Sequence, residues 1–225
     1  MARILDYAEY SLGTLLYSVR GHDNKRIIKT PAFKNIPEPN MTVEVPDCGP
    51  SGSQLLDEHT CIAPDGNVRF PNIRWTSPCG KAADAEMVKE QILLCEDPDT
   101  PIPGVLIDHG IFYRIPPQVH EAGYDQIAAH DSAVPGSITN PNAESHVTRA
   151  GWKYIPTHRG TSWIGAGAPL GHGVHRYTFT VIALNEQLEF GHAVSVTKQD
   201  LEKAIVGKVV GWGQWVGTFE RPWPK

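Results

Sequence analysis

The sequence has little of several features that mark large functional classes. It contains only four cysteines and no C-x-x-C pair, which argues against a structural zinc site. No apolar run reaches the roughly 20 residues of a membrane-spanning helix, and residues 1–20 lack the pattern of a secretory signal. The net charge of −5 argues against a nucleic-acid or anionic-membrane partner. We therefore expect a cytoplasmic protein with reduced thiols, no nucleic-acid partner and no transmembrane segment.

The chain is instead rich in residues that form turns. Its 225 residues include 19 prolines and 21 glycines, with few long helical runs, and this composition favours a mainly β fold. Runs of β-branched and aromatic residues predict strands at 88–96, 105–115, 174–184 and 209–219. The length fits a single domain spanning 1–225.

Two helices and one long insertion complete the predicted organisation. Residues 4–19, within an N-terminal extension of 1–40, carry apolar side chains at helical spacing, so we expect a helix that packs on the domain. A second helix is predicted from the capping sequence at Thr197 to a stop at Gly207. The polar segment 120–162 shows little periodicity, which is typical of a lid over a binding site or of a passive surface loop.

Two polar segments lie against predicted strands. Asp97-Pro98-Asp99-Thr100-Pro101 follows strand 88–96 and precedes His109 on the next strand. Gly171-His172-Gly173-Val174-His175-Arg176-Tyr177 runs into strand 174–184. Because buried polar groups are costly unless they are paired, the two segments predict either an internal salt-bridge network or a binding site.

Alternation along a strand predicts which of these side chains share a face. It puts His175 and Tyr177 on one face of strand 174–184 and Arg176 on the other. By the same rule, His109 shares a face with Ile111. Two strands that each deliver a histidine favour a site over two separate core histidines.

The other polar residues leave several roles open. Asp97 and Asp99 either cap backbone amides in a turn, orient an imidazole, or pair with Arg176. The glycine-rich turn 165–173 can form a backbone-amide nest for an anion. A metal held by His109, His175 and a carboxylate is the weaker alternative because no H-E-x-x-H motif is present. A serine-hydrolase interpretation lacks its G-x-S-x-G elbow.

The two segments resemble the signatures of the phosphatidylethanolamine-binding protein family. The first signature is D-P-D-A-P with a histidine on the next strand, and the second is a glycine- and proline-rich turn leading to G-x-H-R-Y. Residues 17–22 and 211–220 further resemble a filamentous-fungal branch. The resemblance implies a β-sandwich with a large antiparallel sheet and peripheral N- and C-terminal helices. It also implies a small anion-binding pocket formed by Asp97, His109, His175 and Tyr177.

From the family and the face argument together, we expect four catalytic residues: Asp97, His109, His175 and Tyr177. We expect five more residues to bind the ligand: Asp99, Gly165, Gly167, Pro169 and Arg176. The expected ligand is a small anion or anionic substrate, with no metal and no cofactor. The family usually has proline where Ala166 and Ala168 stand and often an aromatic residue where Gly110 stands, so the sequence predicts a wider pocket mouth.

Two functions from different classes follow from this resemblance. The first is an enzyme of fungal secondary metabolism that couples or cyclises maleic-anhydride-type monomers, as in maleidride biosynthesis, with a partner protein or a homodimer as further expectations. In that reaction one imidazole, held by Asp97, acts as general base. The second is a non-catalytic module that binds a phospholipid headgroup or another anion and regulates a kinase or protease. A plain scaffold is the third and weakest alternative.

Overall fold

The structure is a computed structural model that describes residues 3–79, 87–129, 146–190 and 195–224. These residues form three α-helices and eight strands, joined by turns and short 3₁₀ helices. The helices are α1 (Ile4–Leu15), α2 (Tyr124–Ile127) and α3 (Lys198–Ala204). The strands are β1 (Val43–Glu44), β2 (Ile73–Trp75), β3 (Glu90–Asp97), β4 (Ile107–Ile115), β5 (Glu121–Ala122), β6 (Lys153–Ile155), β7 (His175–Leu184) and β8 (Val209–Phe219).

The strands form two antiparallel sheets, which confirms the expected β-sandwich. The large sheet has the order β6-β4-β3-β7-β8, and the small sheet has the order β1-β2-β5. The four strands predicted from sequence are the four long strands of the large sheet, and their ends agree within two residues. The site-bearing strands β3, β4 and β7 are therefore neighbours near the middle of this sheet.

Each face of the large sheet is covered by its own apolar core. Tyr177 and Phe179 point into the core that fills the space between the two sheets. Ile182 and Leu184 point into a second core, which is covered by α3 and the 3₁₀ helices of the N-terminal extension. The predicted alternation along β7 is thus confirmed. Because both faces are covered, strands β3 and β7 are buried over nearly their whole length.

A β-bulge in β4 overturns the predicted face of His109. Cys95 pairs with Gly110, but the next residue, Glu96, pairs with Asp108, so His109 is the extra residue of the bulge. The bulge returns His109 to the side of Tyr177, which it contacts edge-on, whereas Ile111 belongs to the opposite core. The prediction that His109 and Ile111 share a face is therefore wrong.

Helix α1 does not pack in the way that its sequence pattern predicts. It ends at Leu15 rather than residue 19, and its apolar stripe is solvent-exposed, with exposed fractions of 57–87% at Ile4, Leu5, Leu12 and Leu15. The opposite face contacts the domain, because Gly13 lies directly against the carbonyl of Leu170. No described helix is long and apolar enough to cross a membrane.

The segment 120–162 is less irregular than predicted. It contributes β5, α2 and β6 to the fold, and Trp152 and Tyr154 are buried in the core between the sheets. Residues 130–145 of this segment lie outside the described part of the chain, so a lid formed by the segment stays a prediction. The second predicted helix is confirmed as α3, with Thr197 and Asp200 forming its capping box.

Candidate functional site

The four predicted catalytic residues come together at one end of the large sheet. Asp97 ends β3, His109 lies in the bulge of β4, and His175 and Tyr177 open β7. All four are buried, with exposed fractions of only 1–4%. Buried polar side chains need partners, so the hydrogen bonds within the cluster determine what each group can do.

Asp97 and His175 form the closest pair of the cluster. The Nδ1 atom of His175 lies 2.8 Å from Oδ2 of Asp97. The other oxygen of Asp97, Oδ1, accepts the backbone N–H of Asp99 at 2.8 Å, which is the amide-capping role predicted for this turn. The Nε2 atom of His175 lies 2.7 Å from Nδ1 of His172. Both ring nitrogens of His175 are therefore occupied by protein groups.

His109 has one ring nitrogen left free. Its Nδ1 donates to the carbonyl of Ile164 at 2.9 Å, because a carbonyl oxygen can only accept. Its Nε2 is buried without a hydrogen-bond partner among the described residues. Burial lowers the pKa of His109 below its ordinary value, and the Asp97 carboxylate, which raises it, does not compensate. His109 is therefore a neutral imidazole at pH 7 with an unengaged lone pair on Nε2.

The aromatic ring of Tyr177 contacts this imidazole. It lies edge-on to His109 at a centroid distance of 5.0 Å. The hydroxyl oxygen accepts the backbone N–H of Gly167 at 3.1 Å. Burial, and then the Asp97 carboxylate, raises the pKa of Tyr177 well above its ordinary value. The group is thus a protonated hydroxyl that can donate to an oxygen of a ligand.

Asp99 and Arg176, both predicted to bind the ligand, are bonded to each other. The guanidinium donates from Nε and Nη2 to the two oxygens of Asp99 at 2.8 and 2.7 Å and also contacts Asp23. Burial opposes ionisation of Asp99, yet its bonds to Arg176 hold the pKa of that carboxyl below its ordinary value. The pairing of Arg176 with Asp99 is confirmed, and both residues are engaged within the protein rather than turned towards a ligand.

The glycine-rich turn uses several of its amides within the protein. The N–H of Gly167 bonds Tyr177, and the N–H of Leu170 bonds Glu9 at 3.1 Å. The carbonyl of Pro169 accepts the N–H of His172. Gly165 packs so closely against Val68 that a side chain there would collide. The turn therefore shapes the wall of the site, and an anion-binding role for Gly165, Gly167 and Pro169 stays a prediction.

The positions that suggested a wider pocket mouth lie in closely packed surroundings, and the widening itself stays a prediction. Ala166 and Ala168 are buried in the core between the sheets. A side chain at Gly110 would meet the ring of Trp163 at 3.1 Å and that of Phe112 at 3.0 Å. The space beside Gly110 is thus filled by Trp163, which the sequence patterns did not identify because it lies on no strand.

His172 is a functional candidate that sequence reasoning missed. It is fully buried, and its Nε2 lies 2.9 Å from the carbonyl of Leu16 at the end of α1. Its position three residues before His175 was the available signal. In the described ranges, no group of three or more histidine, cysteine, aspartate or glutamate side chains is arranged to hold a metal ion.

Comparison with known proteins gives matches over most of the chain. The family model for phosphatidylethanolamine-binding protein matches residues 48–220. The chain is 35% identical over 228 residues, covering all of both proteins, to phomoidride biosynthesis cluster protein B from a fungal species. It is 36% identical over 221 residues to the protein of the same name from Talaromyces stipitatus, covering 98% of this chain and 84% of that protein.

Two solved structures share the fold at lower sequence identity. One is Escherichia coli YbcL, a member of the mammalian PEBP family, with a TM-score of 0.59 and 17% identity over 81% of this chain and 99% of that one. The other is a PEBP homologue from Chlamydia trachomatis, with a TM-score of 0.55 and 19% identity over 82% of this chain and 100% of that one. These likenesses concern the fold alone.

Proposed function

The chain belongs to the phosphatidylethanolamine-binding protein family, and we propose that it acts in fungal secondary metabolism by coupling maleic-anhydride-type monomers. The support from relatives is the full-length match to two proteins named for a phomoidride biosynthesis cluster. Phomoidride is a maleidride, a class built from such monomers. The same comparison supports a biosynthetic setting better than a general regulatory one.

One structural observation carries the enzymatic proposal: the unpartnered Nε2 of His109. A buried acceptor without a partner costs free energy, of the order of 1–3 kcal/mol, unless a ligand or water meets it. The His109 ring lies edge-on to the ring of Tyr177, and its Nε2 lies 4.0 Å from Oδ2 of the Asp97 carboxylate. The cluster thus contains a candidate base in His109, a hydroxyl donor in Tyr177, and a carboxylate in Asp97 that can stabilise the protonated base.

The proposed reaction begins with proton transfer to His109. Its Nε2 takes a proton from a carbon of the monomer that is acidified by conjugation with the anhydride, and the electron pair moves onto an anhydride oxygen. Tyr177 donates its O–H to that oxygen, and Asp97 stabilises the His109 imidazolium. The nucleophilic carbon then forms a bond with the double bond of a second monomer. His109 returns its proton to the new carbanion, so the step is redox-neutral.

The second candidate is an anion-binding module without catalysis. The description of the matching family, a phosphatidylethanolamine-binding protein, favours it. The same cluster would then hold a phosphate or carboxylate, with Tyr177 as one donor and with His109 as a second donor once it has taken up a proton. Regulation of a kinase or protease would be the consequence of that binding.

A turnover assay with purified protein separates the two candidates. Wild type, His109→Ala and the control His120→Ala are incubated with a maleic-anhydride-type monomer, and products are followed by mass spectrometry. The control removes an exposed histidine outside the cluster. We expect a dimeric product whose initial rate falls by about 10²–10⁴-fold in His109→Ala alone. No product from wild type, together with calorimetric binding of phosphate that His175→Ala abolishes, would establish the binding module instead.

A further inference from the structure

The described cluster contains a continuous hydrogen-bonded chain that reaches from Asp97 to the end of helix α1. Oδ2 of Asp97 meets Nδ1 of His175 at 2.8 Å, and Nε2 of His175 meets Nδ1 of His172 at 2.7 Å. The far nitrogen, Nε2 of His172, lies 2.9 and 3.1 Å from the carbonyls of Leu16 and Val19. Each link of this chain needs one proton.

The acceptors at the two ends of this hydrogen-bonded chain indicate which atom donates in each link. The carbonyls of Leu16 and Val19 can only accept, so Nε2 of His172 carries a proton. A neutral His172 then has a bare Nδ1, and Nε2 of His175 must donate to it. At the other end, Nδ1 of His175 must donate to the Asp97 carboxylate. Three links need three protons, whereas two neutral imidazoles supply only two.

The additional proton belongs on His175. Placing it on His172 is disfavoured, since burial, the neighbouring His175 and then Arg20 lower the pKa of His172. Placing it on Asp97 is disfavoured because that carboxylate also accepts the Asp99 N–H, a bond that favours the charged form. His175 is then an imidazolium with both ring protons engaged, paired with a buried carboxylate.

We propose that His172 is a positioning residue that holds His175 in its imidazolium form and thereby neutralises Asp97 at the floor of the site. The inference deepens the proposed function, on which its consequence for substrate rests. Without the imidazolium, the Asp97 carboxylate would repel an anionic ligand in a poorly solvated site. With it, the Asp97 carboxylate and the His175 imidazolium carry no net charge together, and His109 remains the imidazole that accepts a proton.

This role also connects the site to helix α1. The carbonyls that orient His172 belong to Leu16 and Val19, at and just beyond the end of the helix. Arg20 donates to the carbonyl of His172 from the same segment. The proton arrangement of the site therefore depends on the docking of α1 against the turn that carries His172.

Nitrogen-15 NMR of uniformly labelled full-length protein tests the proposal without any turnover. At pH 7 we expect both nitrogens of His175 to be protonated, His172 to carry its proton on Nε2, and His109 to carry its proton on Nδ1. A neutral His175 at pH 7 would overturn the proposal. Because no substrate is used, this result stands or fails independently of the coupling reaction.

Two variants of His172 separate positioning from mere packing. In His172→Gln the side-chain amide can donate to a carbonyl and accept from His175, whereas His172→Leu fills space but cannot accept. We expect His172→Leu to lose the imidazolium signature of His175 at pH 7 and to weaken binding of inorganic phosphate at least tenfold. We expect His172→Gln to keep the signature and to bind phosphate within threefold of wild type.

The control is His59→Leu, which removes another buried imidazole whose Nδ1 bonds the carbonyl of Arg69 rather than the cluster. It should leave the His175 signals unchanged. Equal behaviour of His172→Leu and His172→Gln would overturn the proposal. If His172→Leu fails to fold, the wild-type spectrum and the His172→Gln titration still decide the question.

Discussion

The Nε2 atom of His109 lies 4.0 Å from Oδ2 of Asp97, close enough for electrostatic attraction but too far for a hydrogen bond. This spacing distinguishes the two site histidines. His175 is bonded to the same oxygen at 2.8 Å and has no free nitrogen. His109 keeps a lone pair that the carboxylate can stabilise once it is protonated, and the predictions about activity depend on this difference.

The rate of coupling should fall on acidification with an apparent pKa below 6.5. His109 must be neutral to accept a proton, and burial lowers its pKa below that ordinary value. Since the hydroxyl of Tyr177 has a raised pKa, the rate should show no loss attributable to Tyr177 at moderately alkaline pH. The measurement is kcat/KM between pH 4.5 and 9. An acidic limb centred above pH 6.5 would contradict the assignment of His109 as the base.

Replacing Arg176 should destabilise the fold rather than act on the ligand directly. Arg176→Ala leaves the buried carboxylate of Asp99 without its guanidinium, and the free energy of unfolding should fall by about 3 kcal/mol at pH 7. The matched control, Arg74→Ala, breaks an exposed ion pair with Glu121 and should cost less than about 1 kcal/mol.

Urea unfolding measures both Arg176→Ala and its control. The folded-state pKa of Asp99 is depressed, so its contribution is present above the unfolded-state pKa and is lost as the pH falls. The difference between wild type and Arg176→Ala should therefore shrink on acidification. Equal losses in the two arginine variants would reject the structural role of Arg176.

Asp108 should make the free energy of unfolding depend on pH in the opposite sense to Asp99. Burial raises its pKa to about 6, although Lys198 lies 2.6 Å away and lowers it. A raised folded-state pKa stabilises the protein below the unfolded-state value near 3.8, and this contribution is lost as the pH rises through 6.

Between pH 4 and 7.5, wild type should therefore lose roughly 1–3 kcal/mol relative to Asp108→Asn, as measured by urea unfolding at each pH. Asp125→Asn, at an exposed carboxylate of α2, is the control and should follow wild type. A parallel pH dependence of wild type and Asp108→Asn would refute this prediction.

Adding one methyl group to α1 should loosen its docking. Alanine normally stabilises a helix interior by about 0.5–1 kcal/mol relative to glycine, but at Gly13 the added carbon would collide with the Leu170 carbonyl. We expect Gly13→Ala to increase hydrogen–deuterium exchange in residues 4–15 and 170–173. Ser11→Ala, on the exposed side of the same helix, should not. Unchanged hydrogen–deuterium exchange in Gly13→Ala would contradict the prediction that the close contact at Gly13 holds α1 against the turn.

Strand positions were predicted well because successive side chains of a strand point to opposite faces, and this local geometry produces an alternating sequence pattern. β7 follows that rule along its length, so Tyr177 and Ile182 lie on the predicted faces. β4 does not follow it, since a bulge inserts one residue at His109. A bulge depends on how two strands pair, and the sequence of one strand alone does not specify that pairing.

The predicted packing of helix α1 was wrong for a physical reason. Its apolar stripe predicted the buried face, yet the structure buries Gly13 and exposes Leu12 and Leu15. Apolar residues at helical spacing indicate a two-faced helix, but they do not say which face contacts the rest of the chain. Here the close approach of two backbones at Gly13 and the ion pair between Glu9 and Arg221, at 2.8 Å, orient the helix.

The sequence by itself determined the family and the long strands, and it predicted Asp97, His109, His175 and Tyr177 as site residues, because these depend on short-range patterns. Only the tertiary structure decided which hydrogen bonds those residues form. It shows that His175 has both nitrogens occupied, that His109 has one free, and that His172 joins the site to α1. The bonds from Asp97 to His175 and from Leu16 to His172 join partners 78 and 156 residues apart in the chain, and only folding brings such partners within hydrogen-bonding distance.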